Sequence, residues 1–209
     1  MAELANRADR IFPKLAAFFG RTVPTPVIID LGPDHRVSKS YADVNTIGFP
    51  KQVVDRNAAI IAHEMTHLFM PERHSEALRE GIAVYAQDRF GEVNGFPNYG
   101  RDGDRLVVSR LAKQRDASVR SFAVAEAFFR RNRGTDGRTK VKWEDIDPDD
   151  RRNAYLLAGS FTRYLLETEL AGDMTAFKRL YKNADFNGET GKSLAELEAA
   201  WRHRIGLPN

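Results

Sequence analysis

A chain of 209 residues, 42% hydrophobic and 29% charged, is long enough to bury a core without covalent staples and has the balance of an ordinary globular protein. It holds no cysteine, which excludes a disulfide scaffold and means that any zinc must be bound through nitrogen and oxygen. A formal net charge of +3 is too mild to name a nucleic acid or a membrane surface as partner.

The first ten residues are charged and lack the apolar core of a signal peptide. No apolar run approaches the roughly 20 residues that cross a bilayer, so no membrane span is expected. The compartment stays open between the cytoplasm and an exported protein whose leader has been removed. Residues 2–19 place Leu4, Ile11, Leu15, Phe18 and Phe19 mostly at helical spacing, with Gly20 as the stop. Pro24 and Pro26 lead into Val27-Ile28-Ile29, whose unbroken apolar character predicts a buried strand. Gly32-Pro33-Asp34 is a turn, and a second, more exposed strand is expected between Tyr41 and Phe49.

Helical patterning returns from Asp55 to Phe69, with Asp55 or Asn57 as cap and Pro71 forbidding continuation. A further helix is expected from Ser75 to about Phe90, ended by Gly91, and residues 94–100 read as a loop. Helices are then predicted at 104–115, 118–131, 149–170, 173–183 and 193–204. A mixed α/β beginning followed by helices is an α+β protein. It reads as one domain over residues 1–209, with an N-terminal α/β lobe over about 1–70 and a mainly helical lobe over about 71–209. Between Arg101 and Lys142 there are twelve Lys or Arg against five Asp or Glu. That stretch is read as a solvated helical face, and no nucleic-acid partner is expected.

The chemistry is concentrated in His63-Glu64-Met65-Thr66-His67. On a helix, positions i and i+4 share a face, so His63 and His67 can offer two imidazoles to one ion. Glu64 projects beside that face, where it can take the proton of a water activated by zinc. Two histidines and a glutamate on an otherwise apolar helix are costly to bury unless something pairs with them, and a metal does so. A third ligand is needed, and Glu72, His74, Glu76 and Glu80 are the downstream candidates. A pattern with glycine three residues and a third histidine six residues after the second histidine is absent, because Met70 and Arg73 stand there. Glu80 is the better candidate, lying on the next predicted helix with a Gly81 after it that lets another backbone approach closely, and Glu76, one turn earlier on the same face, is the runner-up.

With Glu80-Gly81-Ile82-Ala83-Val84-Tyr85 added to the histidine motif, the chain resembles the gluzincin clan of zinc metallopeptidases, in particular its peptidase-MA-like group and the plant basic secretory proteins. The resemblance covers residues 27–201 and is strongest over 63–85. It implies a zincin-like fold with an active-site helix, Zn2+ held by His63, His67 and Glu80, and Glu64 as general base. The segment Tyr155 to Leu166 is similar to a later helix of that group, whose leading tyrosine stabilises an oxyanion; carried over, that residue is Tyr155. Residues 193–201 resemble the last helix, with Trp201 buried. The Gly-x-Met-Glu-Asn stretch by which aminopeptidases of the clan hold a free amine is missing, so an endopeptidase acting on a peptide or protein is the expected activity. Asp43 to Gly48 is a candidate edge strand for pairing with an extended peptide. The alternatives are a zinc hydrolase of a non-peptide bond and a catalytically inactive binding module of the same fold.

Overall fold

The computed structural model describes residues 2–33, 35–72, 74–111, 121–132 and 145–207. The chain is mostly helical with one small sheet, and it divides into two compact units. The first comprises Met1–Pro71 and Ala86–Gly100, the second Glu72–Tyr85 and Arg101–Asn209. Among the described residues no helix is long and apolar enough to cross a membrane.

In the first unit, α1 (Ala2–Phe19) buries Leu4, Ala8, Ile11, Leu15 and Phe19, one stripe at three- and four-residue spacing. It packs on α3 (Ile61–Phe69), where Phe12 and Phe19 meet the ring of Phe69 at 5.4 and 5.8 Å between centroids. Arg7 of the same stripe is 3% exposed and spends its guanidinium on the turn before α3, donating to Asn57 Oδ1 at 2.7 Å and to the Ala59 carbonyl at 2.8 Å.

The sheet has three strands, β1 (Ile28–Asp30), β2 (Lys39–Tyr41) and β3 (Thr46–Gly48), in the order β1-β3-β2. β3 runs parallel to β1, with Ile29 opposite Ile47, and antiparallel to β2, with Ser40 opposite Ile47. The expected burial is therefore reversed. The first strand lies at an edge with Ile28 53% exposed, whereas Ile47 on the central strand is fully buried. An apolar run signals burial on both faces only inside a wide, doubly covered sheet. The stretch 41–49 is also not one strand. Residues Ala42–Val44 form a 3-10 turn, closed by Asn45 in the left-handed region, which an asparagine side chain tolerates.

The expected helix from Asp55 to Phe69 is two helices. α2 (Lys51–Asp55) ends where Asn57 takes a positive φ, and α3 begins only at Ile61. Asp55 and Asn57 do not cap α3; its N-cap is Ile60, which makes no side-chain cap bond. After α3, α4 (Glu76–Phe90) runs as one unbroken helix, its residues through Tyr85 belonging to the second unit and those from Ala86 to the first.

The second unit is built on α7 (Pro148–Tyr164), against which α5 (Gly103–Leu111), α6 (Phe122–Asn132) and α10 (Leu194–Ile205) pack. Phe161 of α7 meets Phe122 at 4.6 Å and Trp201 at 5.5 Å between centroids, and Trp201 is fully buried with its indole N–H donating to Ser160. The expected helix 149–170 widens at its end into one π-helical turn, Leu165–Glu169, whose Glu169 accepts from Tyr164 and from Lys192 at 2.7 Å. α8 (Met174–Asn183) and α9 (Phe186–Thr190) complete the unit. Starts are set locally: Asp147, Asp173 and Asp185 accept from the first turns of α7, α8 and α9, and Ser193 with Glu196 forms a capping box on α10. The predicted segments 112–115 and 118–120, the turn at 134–137 and residues 112–120 and 133–142 of the basic stretch lie outside the described residues.

Candidate metal centre

Every residue of α3 is buried, the motif included: His63 is 3% exposed, Glu64 4% and His67 5%. The two imidazoles lie one turn apart, with ring centroids 5.1 Å from each other and planes nearly perpendicular. Glu80 of α4 is 1% exposed. One nitrogen of each histidine and one carboxylate oxygen of Glu80 all lie within 4.8 Å of one another, the one such group of three among the described residues. In a tetrahedral zinc site with bonds near 2.0–2.1 Å the donors stand roughly 3.3 Å apart, so a small side-chain adjustment closes this group on an ion. Two imidazoles and a carboxylate are also a donor set that zinc takes at catalytic sites, and the residues present fit the metal. Of the other candidate ligands, Glu72 stands exposed opposite Lys182, His74 donates its backbone N–H to the Tyr181 carbonyl, and Glu76 is half-buried in the first turn of α4; none belongs to the group.

Glu80 is held by what surrounds it on α4. The Arg79 guanidinium pairs with its carboxylate. Gly81 is there because α7 comes too close for anything larger. A Cβ at this position would overlap the Thr162 hydroxyl and lie 2.5 Å from the Ala158 carbonyl oxygen, which as backbone cannot swing aside. Gly81→Ala gains about 1 kcal/mol in helix propensity and loses more to overpacking, about 1–3 kcal/mol. A lowered Tm together with weaker uptake of an added divalent metal ion is the expected result.

The start of α4 is fixed by Glu126 of α6. Its carboxylate accepts from the Ser75 hydroxyl at 2.7 Å and from the Ala77 backbone N–H at 2.8 Å, while Ser75 Oγ accepts from the Leu78 N–H. Burial by itself would raise the Glu126 carboxyl, but the N–H of Ala77, the Ser75 hydroxyl and Arg130 outweigh it and hold the group below the usual carboxylate range. A carboxyl depressed in the folded state contributes stability above its unfolded pKa and loses it as pH falls through the folded one. Glu126→Gln should therefore cost about 1–2 kcal/mol at pH 7, as for a lost helix cap. In urea titrations that difference from wild type should shrink by pH 3.

Tyr155 lies on α7 three and seven residues before Ala158 and Thr162, on the face that meets Gly81. Its ring is half-buried and stands edge-on to Phe129 at 5.0 Å. The stretch Asp43 to Gly48 is not an edge. Its strand portion is β3, hydrogen-bonded on both sides, so it has no free ladder for a peptide, and the sheet's edges are β1 and β2. Two side chains carry more than the sequence suggests. His35 has its side chain only 10% exposed and bonds Asp30 at 2.8 Å. Gln87 is 5% exposed, and its side-chain oxygen accepts the His63 backbone N–H at 3.3 Å. The available signal was a polar residue seven positions after Glu80 on an otherwise apolar helix face. Comparison with family models, with curated proteins and with solved structures gives no match for this chain.

Proposed function

We propose that this protein is a zinc-dependent metallopeptidase of the gluzincin type with a zincin-like fold, acting as an endopeptidase on a peptide or protein. The observation that carries the reading is the buried convergence of His63, His67 and Glu80, with the buried Glu64 carboxylate beside the first histidine on α3. His63, His67 and Glu80 would hold the ion. When bound, zinc lowers the pKa of a water toward neutrality and polarises a carbonyl oxygen. Glu64 takes the proton of the attacking water and passes it to the departing amine, a general base that becomes a general acid. The Tyr155 phenol donates to the negative charge that develops on the carbonyl oxygen. The enclosure of all four inner residues, each no more than 5% exposed, keeps bulk water from competing for these groups.

Removing the metal tests this directly. Dialysis against a strong chelator should abolish cleavage of a mixed peptide library, and stoichiometric zinc should restore it. Zinc uptake without cleavage of any peptide would leave a binding module, and cleavage confined to ester or other non-peptide bonds would move the substrate class.

A further inference from the structure

The histidine helix starts without a side-chain cap of its own. α7, α8, α9 and α10 take an N-cap from an Asp or Ser at their own start, but α3 follows Ile60, which offers no side-chain cap. The first N–H groups of a helix have no acceptor within it, and α3 is wholly buried, so those groups need partners other than bulk water. His63 is the third residue of α3, and its N–H is met by a side chain 24 positions away: Gln87 Oε1, at 3.3 Å. The other end of that amide donates to the Val93 carbonyl at 3.2 Å. The chain leaving α4 makes room for it with Gly91, where a Cβ would run into the Gln87 amide and its carbonyl. Gln87 is thus fixed at both ends and buried.

Gln87 stands seven residues, two turns, after Glu80 on the same face of α4. One helix therefore supplies a carboxylate to the group that His63 and His67 form and also grips the backbone of His63. We infer that Gln87 is a positioning residue of the metal centre. As a cap borrowed from the end of α4, it sets the first turn of α3, and with it the backbone that carries the His63 imidazole. Outer partners that orient ligands typically change metal affinity 10–100-fold when removed. The inference rests on the metal reading given above.

Two variants separate the hydrogen bond from simple packing. Gln87→Met fills nearly the same volume with no acceptor for the His63 N–H. Gln87→Glu keeps that acceptor. The measurements are zinc affinity by chelator competition, the visible spectrum with cobalt(II) as probe, and hydrogen exchange of the His63 amide in metal-free protein. The Met variant is expected to bind zinc roughly 10–100-fold more weakly, to alter the cobalt bands, and to exchange the His63 amide faster. The Glu variant keeps the acceptor for His63 but loses the donor to Val93, so it should fall between wild type and the Met variant in all three. A Met variant with wild-type affinity, spectrum and exchange overturns the inference alone, as does an equal loss in both variants, which would make the effect one of packing. Wild-type protein that takes up neither ion overturns the metal reading, and this inference with it; the His63 exchange rates then report only on the fold.

Discussion

Glu64→Gln is expected to retain its zinc and to lose peptide hydrolysis by about a thousandfold, within the range that a positioned general base contributes. The substitution keeps the volume and the hydrogen-bonding reach of the side chain, so α3, buried along its whole length, has no cause to repack. What disappears is a group able to accept a proton at the attacking water. The proposed metal ligands are untouched, since His63, His67 and Glu80 form the converging group and Glu64 does not. Steady-state cleavage of a fluorogenic peptide, run beside elemental analysis of the same preparation, separates the two effects. Full activity in a zinc-loaded Glu64→Gln protein would sink the mechanism. Loss of zinc together with activity would instead make Glu64 part of what holds the ion.

His67→Ala and Glu80→Ala should each leave the purified protein with far less than the one zinc per chain expected of the wild type, while Glu76→Ala should stay near full occupancy. The contrast follows from placement. Glu80 is 1% exposed and lies with the two imidazoles, whereas Glu76 is half-buried in the turn that Glu126 caps. Removing Glu80 also takes from Arg79 the carboxylate it pairs with. Removing one of three ligands should weaken zinc binding by several orders of magnitude, because most of the binding energy comes from the closed ligand set. Elemental analysis after gel filtration reads the result. A zinc-loaded Glu80→Ala beside a zinc-free Glu76→Ala would transfer the ligand role one turn back along α4.

Much of this arrangement is written in local spacing. The i, i+4 histidines, a base next to the first, and a glutamate followed by glycine on the next helix are all short-range patterns, and helical periodicity converts each into a shared face. The late helices and their caps are legible for the same reason, because an Asp or Ser at a helix start acts on N–H groups two or three residues away. The buried Trp201 falls out of the apolar face of the last helix. Three features depend on chain reversals that no short window contains. Sheet order placed β3 between β1 and β2, so an unremarkable segment became the covered strand and an apolar run became an exposed edge. The left-handed Asn57 divided an apparently continuous helical pattern and moved the start of α3 to Ile61, within two residues of the first histidine. Gln87 reached His63 across 24 positions because a helix with no cap of its own needs a donor's partner from elsewhere. The sequence by itself determined which side chains could meet an ion; the tertiary structure decided which carboxylate arrived and what holds the histidines in place, because long-range hydrogen bonds and strand order follow from packing and not from periodicity.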